Sequence, residues 1–349
     1  MTNNIESTVL SSRVRLARNL ADYPFPSALK GTAQAKEIIR SVSAAASRLR
    51  PFRLYEMDVI SENVAQAICD DHLISAELAA NRRYGAALID EEGDEEDGDL
   101  HGKYSIMINE EDHLREQYIA RGLSLSVAYR KISDIDDDLS RTLRFAFDAK
   151  LGYLTACPTN LGTGMRASAM LFLPGLTRMN KMNRLIREIS RLGHTVRGVF
   201  GEGSAAEGYM YQISNEVTLG VSEDYILAEV QRAVLEIVNL EAQARKALLA
   251  EDRVGIKDEC CRAYGILSNC EKVSNAEFLQ LISDVKLGIA LGFLEIEDFS
   301  AIDDLISAVR PANIALLIDK PLTAAERDVY RAGECRAALA AVHRTLSDQ

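Results

Sequence analysis

Three kinds of side chain stand where they could act together: a cysteine on a proline-bearing turn, arginines on period-two strands, and carboxylates at strand ends. The cysteine is Cys157, within Leu151 to Leu173, LGYLTACPTNLGTGMRASAMLFL. Pro158 fixes its own φ and pushes Cys157 toward an extended conformation, while Asn160, Gly162 and Gly164 accept turn geometry. The thiol is therefore displayed at a loop tip. Beyond it, Arg166, Ser168 and Met170 alternate with Ala167, Ala169 and Leu171. One strand face then presents the Arg166 guanidinium close to the thiol. A lone Cys-Pro is more often a tight turn with a buried thiol, but the length of this string argues against that reading.

Thr8 to Asn19 also alternates, with Val9, Ser11, Arg13 and Arg15 on one face and Leu10, Ser12, Val14 and Leu16 on the other. Paired guanidinia suit a polyphosphate, although the same pattern alone fits a solvated edge strand. Thr195 to Phe200 alternates in the same way, with Arg197 and Val199 on one face, and ends in Gly201-Glu202-Gly203-Ser204. Ala86 to Asp90 and Lys103 to Asn109 read as a hairpin around an acidic tip, residues 90–99, too densely charged to pack. Its second strand runs into Asn109-Glu110-Glu111-Asp112-His113-Leu114-Arg115. Three adjacent acids repel one another, so a cation is expected there.

The chain has 349 residues and a formal net charge of −12. The length suggests two domains. The charge argues against a nucleic-acid partner, which needs a basic face. The six cysteines (69, 157, 260, 261, 270 and 335) form no CxxC pair, and no histidine stands at ligand spacing with them, so neither a disulfide framework nor a metal site is expected. Without an apolar leader or a run of transmembrane length, a soluble cytoplasmic protein with no membrane partner is expected.

The elements that must position these groups follow from pattern. Gly31–Arg50, Asp58–Arg83 (with His72), Leu123–Lys150 and Leu176–Leu192 read as helical, and Tyr209–Ser214 and Glu216–Val221 as the final strands. At Ser222, an N-cap before Glu223 and Asp224, the pattern turns helical: about 223–251, 253–266, 275–290, 300–309 and 324–346. The expected organisation is α+β over 1–222 and a separate α-helical domain over 223–349. In the last helix Arg327 and Arg331 are four apart beside Asp328, a trio that suits phosphoarginine, though alone it reads as a solvated face.

The string Cys157-Pro158-Thr159-Asn160-Leu161-Gly162-Thr163 resembles the signature of the phosphagen (guanidino) kinases, which move phosphate between ATP and a guanidinium nitrogen. Ser11-Ser12-Arg13-Val14-Arg15 is similar to that family's first nucleotide segment, and the acidic run at 109–113 to its Asn-Glu-Glu-Asp-His motif. By resemblance the fold is a glutamine-synthetase-like antiparallel sheet flanked by helices. ATP would be held by Ser11, Ser12, Arg13, Val14, Arg15, His72, Arg115, by Arg166, Ala167, Ser168, Ala169 and Met170, and by Arg197, Gly198, Val199, Phe200, Gly201 and Glu202. Glu111, Glu202 and Cys157 would be catalytic, Glu110 and Asp112 would support Glu111, and Mg²⁺ would arrive with ATP. The early start of the Ser-Ser-Arg segment leaves no room for the N-terminal lid of small-guanidine kinases. Arg327-Asp328-Val329-Tyr330-Arg331-Ala332 resembles a motif of bacterial protein arginine kinases (McsB type), in which Arg327, Asp328, Arg331 and Ala332 would form an allosteric phosphoarginine pocket. This subfamily implies arginine-bearing protein substrates, a role in the stress response, a zinc-finger activator and delivery to a Clp protease; a homodimer through the helical domain is left open. Two alternatives remain: a kinase for a free guanidino metabolite, and a non-catalytic phosphoarginine-binding adaptor.

Overall fold

A computed structural model describes residues 4–93, 102–198, 207–318 and 322–345. Its centre is an eight-stranded sheet in the order β2-β3-β4-β5-β1-β8-β10-β9, antiparallel at every pairing. In chain order the first half contains β1 (Val9–Arg18), α1 (Thr32–Ala46), β2 (Arg53–Glu56), α2 (Glu62–Asp70), α3 (Ala76–Ala80), β3 (Ala86–Ile89), β4 (Gly102–Ile108), β5 (Leu114–Arg121), α4 (Leu125–Ser140) and the small hairpin β6–β7 (Phe147–Asp148, Gly152–Tyr153). Then come β8 (Met165–Phe172), α5 (Pro174–Arg178), α6 (Met182–Arg191), β9 (His194–Gly198), β10 (Met210–Asn215) and α7 (Glu223–Leu267). The helical remainder is α8 (Asn275–Ala290), β11 (Leu294–Glu295), α9 (Ser300–Ala308), α10 (Pro311–Leu317), α11 (Ala324–Leu339) and β12 (His343–Arg344).

The two faces of the sheet differ in kind, as strand alternation requires. One face carries Val14, Leu16, Ile106, Leu114, Tyr118, Ala167, Ala169, Leu171, Val196 and Ile213, packed under α1, α4, α6 and the first half of α7. The other buries Ala87, Ile89 and Met107 beneath α2 and α3 at the β3–β4 edge. Across β5, β1, β8, β10 and β9 that second face carries polar side chains. The helical remainder has its own core, from Ala263 through Phe278, Ile282, Val309 and Ala332 to Val342. Helix α7 serves both cores. Ile226, Val230, Val234 and Ile237 pack on the sheet, whereas Ala263 and Leu267 pack in the second core. The backbone breaks between them at Asp252 (φ −151°, ψ 75°).

Several elements depart from the sequence expectation. The helix expected over 123–150 stops at Ser140. Asp148 accepts the amides of Lys150 and Leu151, and Gly152 takes φ 74°, which closes the β6–β7 hairpin instead. The span 58–83 is two helices, parted where His72 adopts φ 61°. The amphipathic span 176–192 divides between α5 and α6, with Asn180 at φ 55°. Glu216–Val221 is not a strand: the Asn215 amide donates to the carbonyls of Met165 and Val217, and the Thr218 hydroxyl to those of Thr159 and Leu161, so side chains replace a ladder. The last helix ends at Leu339, and His343–Arg344 pairs with Leu294–Glu295. The hairpin of β3 and β4 forms as expected. Most of its acidic tip, residues 94–99, lies outside the described residues.

One buried ion pair fastens β1 to α4. Arg18 donates to Asp136 through Nε (2.9 Å) and Nη2 (2.8 Å), and through Nη1 to the carbonyls of Ala17 and Thr163 (2.9 and 3.0 Å). Its guanidinium lies 3.5 Å over the Tyr153 ring. Burial, then the adjacent Asp136, push the Glu116 carboxyl well above the usual carboxylate range. Replacing Arg18 with Met should cost about 3–5 kcal/mol, because Asp136 is then buried against Glu116 without a counter-charge. Urea unfolding followed by circular dichroism measures the loss.

Candidate active site

The register of the sheet assembles the arginines. Arg15 lies opposite Arg166 on one side and Gln117 on the other; Arg13 lies opposite Ser168 and Ile119. Arg115 is opposite Ala17, and Arg197 of β9 opposite Gln212 of β10. All five side chains therefore leave the same face of the sheet. Arg15, Arg115, Arg166 and Arg197 line one cavity of about 630 Å³, together with Glu110, Glu111 and Cys157. Arg13 and Arg15 have no ion pair among the described residues. Burial, then the Arg115 and Arg166 charges, push Arg13 down to about 10. Burial, then Arg13, Arg115 and Arg166, hold Arg15 well below the usual guanidinium range. Burial, then Arg197 and Arg115, also lower Arg166, whose Nε donates to Ser214 at 3.2 Å. Packed cations with depressed pKa values form a site waiting for a polyanion.

The acidic run is the turn between β4 and β5, closed where Ile108 pairs with Leu114. Asn109 takes φ 57°, a conformation asparagine tolerates, and its side-chain amide donates to the carbonyls of Ala35 and Tyr84, 3.1 Å each. The three acids then separate by environment. Asp112 is buried and accepts from the Asn19 amide (2.6 Å) and the backbone NH of Ala156 (2.7 Å), which pins the Cys157 loop to this turn. Glu110 accepts from the Ser75 hydroxyl (2.6 Å) and pairs with Arg115 (2.8 Å). Glu111 has the Arg115 contact at 3.0 Å and a side chain 40% exposed. Glu110 and Glu111 both line the cavity, and Glu111 is the more exposed of the two to an incoming cation.

Cys157 caps a short 3₁₀ turn, Pro158–Asn160, with the extended backbone that Pro158 demands (ψ 124°). The Thr155 hydroxyl donates to its carbonyl, and its Sγ lies 3.0 Å from the Thr159 hydroxyl. Two glycines allow the loop to sit this deep. A Cβ at Gly162 (φ 108°) would approach the Thr218 carbonyl oxygen to 2.4 Å, and one at Gly164 (φ 64°) the Ala17 carbonyl oxygen to 2.6 Å. The thiol, Glu111 and the arginines thus share one cavity.

The remaining expected site residues fall in different places. Ser11 and Met170 face each other on the arginine side of the sheet, whereas Ser12, Val14, Ala167 and Ala169 are buried in or behind it and frame the site through their backbone. Ser168 stands on the arginine side opposite Arg13. Burial, then Arg13 and Arg310, push the His72 imidazole down to about 4, which keeps it neutral and places it near the Arg13 end. Gly198 ends β9; Val199, Phe200, Gly201 and Glu202 lie outside the described residues. The Arg327 group does not form the open trio that i, i+4 spacing suggests. Arg331 is buried, donating to the carbonyls of Val309 (3.1 Å) and Val273 (2.9 Å) and to Asp328 (2.8 Å). Ala332 is buried, and Arg327 donates to the Leu322 carbonyl. Sequence reading missed Glu77 and Asn81 of α3, and Thr159 and Asn160 of the signature loop, as cavity-lining residues. The N-cap Ser75 was a usable sign of a helix start, but nothing local says that α3 faces the acidic turn.

Comparisons with known proteins agree with this geometry. Residues 34–244 match the family described as ATP:guanido phosphotransferase, C-terminal catalytic domain, and residues 253–349 match the protein-arginine kinase McsB C-terminal domain. The chain is 41% identical to a protein-arginine kinase of Caldanaerobacter subterraneus subsp. tengcongensis, over 94% of this chain and 95% of that one. It is 42% identical to one of Symbiobacterium thermophilum, over 95% and 93%. Among solved structures it resembles a duplicated taurocyamine kinase of Schistosoma mansoni with bound transition-state-analogue components (TM-score 0.59, 26% identity, 69% of this chain and 34% of that one). It thus spans about a third of that kinase.

The acidic turn carries a pH signature. His113 is fully buried. Its Nδ1 accepts the Leu20 amide (3.0 Å) and its Nε2 donates to the Pro24 carbonyl (3.0 Å), which fixes the neutral tautomer, and burial pushes its pKa down to about 4. An unfolded histidine titrates near 6.5, so between about 6.5 and 4 only the unfolded chain binds this proton. Stability is then full above pH 6.5 and falls with acid by about 1.4 kcal/mol per unit from this one residue. Urea titrations from pH 7 to 5 should show a shallower acid loss in His113→Gln than in the parent.

Proposed function

The chain belongs to the ATP:guanido phosphotransferase family, and we infer that it is a protein-arginine kinase, transferring the γ-phosphoryl group of ATP to arginine side chains of proteins. The observation that carries this reading is one cavity holding a cationic wall of Arg15, Arg115, Arg166 and Arg197 and, beside it, Glu111 and Cys157. The whole-length similarity to protein-arginine kinases supports a protein-borne arginine as acceptor rather than a free guanidino metabolite.

In this reading Arg13, Arg15, Arg115, Arg166 and Arg197 bind the ATP phosphates and neutralise charge on the transferring group. Magnesium accompanies ATP and supplies further charge neutralisation on the phosphates. An arginine guanidinium is protonated at any physiological pH and is a poor nucleophile. Glu111 binds it, aligns one nitrogen and accepts its proton as the N–P bond forms and the γ-P–O bond to ADP breaks. The Cys157 thiol lies beside it and orients it. Glu202 is proposed as the second carboxylate because Arg197 to Gly203 resembles the family's last nucleotide segment at the expected spacing after the Cys157 loop. Ser11, His72, Met170 and Gly198 line the nucleoside end. Phosphoryl transfer depends mainly on positioning and electrostatics, so a fixed array of cations and anions is sufficient machinery.

We place the domain boundary at the Asp252 break rather than at Ser222, because the first half of α7 packs on the sheet and the two family matches meet there. In the helical domain, Arg327 and Asp328 are the part-exposed members of the proposed allosteric phosphoarginine pocket, and the buried Arg331 positions Asp328. A cytoplasmic protein in the bacterial stress response, with a zinc-finger activator, a Clp protease recipient and a homodimeric state, completes the proposal. Among the described residues, no helix is long and apolar enough to cross a membrane.

The test is incubation with Mg-ATP and an unfolded, arginine-rich protein, then mass spectrometry under conditions that preserve the acid-labile P–N bond. Phosphate on arginine is expected, with Glu111→Ala slower by about 10²–10⁴ and folded normally. Phosphate only on free arginine or creatine would overturn the protein-substrate reading; full activity in Glu111→Ala would overturn the assignment of that residue.

A further inference from the structure

The helical domain touches the sheet domain at Asp71, four residues before Ser75, whose hydroxyl holds Glu110 of the active site. At the end of α2, Asp71 Oδ1 accepts from the Ser307 hydroxyl (2.5 Å) and the Asn313 amide (3.2 Å), both from the α9–α10 corner, while Arg310 lies 3.8 Å from Asp70. The chain then turns sharply at His72 (φ 61°). Gln117 Nε2 clamps this corner by donating to the carbonyls of His72 and Leu73, 2.9 Å each. Ser75 follows. Its hydroxyl accepts the Leu78 amide as the cap of α3 and donates to Glu110 at 2.6 Å. At the far end of α3, Asn81 donates to the Asn109 carbonyl (3.2 Å). Glu110 in turn holds Arg115, which reaches Glu111.

We propose that this corner, Asp71 to Ser75, is a positioning device: the seat of the helical domain at Asp71 sets Ser75, and Ser75 sets Glu110, Arg115 and thereby Glu111. The proposal rests on the kinase reading for its catalytic consequence but not for its mechanical one. Apart from the backbone turn that runs from Asp71 to Ser75, each link is a directional hydrogen bond or ion pair, and α3, with five residues, has little rigidity of its own beyond its two ties to the turn. Ser75 cannot shift without either losing the α3 cap or releasing Glu110. A rigid, short, over-determined corner transmits displacement in a way a loop would not. Ser75, Asp71, Ser307 and Asn313 are positioning residues, remote from the reacting atoms.

The test uses the full chain carrying Ser307→Ala and Asn313→Ala together, which removes both donors to Asp71 without altering the corner. Hydrogen exchange of the 109–113 amides should accelerate roughly three- to thirty-fold, the range expected for coupling through packed networks. In the phosphorylation assay kcat should fall within the same range, and calorimetric ATP affinity should weaken with it, because Arg115 belongs to the phosphate cradle. Ser75→Ala should reproduce both effects, Ser75→Thr should restore them, and adding the Ser307/Asn313 pair to Ser75→Ala should change little further. Unchanged exchange at 109–113, or losses that simply add, would overturn the proposal. If the parent protein transfers no phosphate to arginine, the kinase reading fails, and the exchange data still decide the coupling.

Discussion

Five guanidinium groups held on one face of one sheet repel one another, and much of the architecture is the means of keeping them there. Antiparallel register fixes Arg13, Arg15, Arg115, Arg166 and Arg197 to the same side. The opposite side supplies the restraining free energy through a large apolar core shared by α1, α4, α6 and α7. Arg15, Arg115, Arg166 and Arg197 open onto one cavity, with α3 along its edge, instead of packing into a second core. Burial first, and the neighbouring guanidinia second, depress Arg13, Arg15 and Arg166 below the usual range. A polyphosphate relieves their repulsion, so the same feature that burdens the empty fold provides the drive for nucleotide binding.

The acidic turn solves the opposite problem. Three consecutive carboxyls would repel if all three were equally placed. Asp112 is buried under two hydrogen-bond donors, Glu110 is largely buried against Arg115, and Glu111 shares Arg115 but is the most exposed to an external cation. Because Asp112 also holds the Ala156 amide, the loop bearing Cys157 is referenced to the same turn. Arg115 joins the two halves of the site, touching both glutamates while facing the other guanidinia. Its charge is available to whichever anion is closest, and an arriving phosphate would draw it from Glu111 as that carboxylate takes up the substrate guanidinium.

Much of this was legible locally. The alternation of Arg13 and Arg15, the turn chemistry around Cys157, the β3–β4 hairpin and the change to helix after Ser222 are short-range signals, and each has its counterpart in the structure. What escaped was set by long-range registration. Nothing near Glu77 or Asn81 reveals that α3 lies over the acidic turn. The strand 114–121 was hidden because Glu116 and Gln117 are buried polar residues whose partners, Asp136 and the His72–Leu73 carbonyls, are distant in sequence. Arg331 shares helical spacing with Arg327, but it points into the second core, where two backbone carbonyls outcompete water for its donors. Glu216–Val221 has strand-like residues, yet Asn215 and Thr218 satisfy the neighbouring backbone themselves.

Crowded guanidinia should strain the empty arginine face, and bound ATP should relax it. Thermal unfolding of the parent and of Arg15→Gln, with and without Mg-ATP, tests it directly. The account predicts that empty Arg15→Gln melts about 2–4 °C above the empty parent, a shift of roughly 1 kcal/mol. It also predicts that Mg-ATP at about a hundred times its dissociation constant stabilises the parent by about 2.7 kcal/mol and the variant by far less. A variant that melts lower than the parent when empty, yet keeps the full ATP-induced shift, would contradict it.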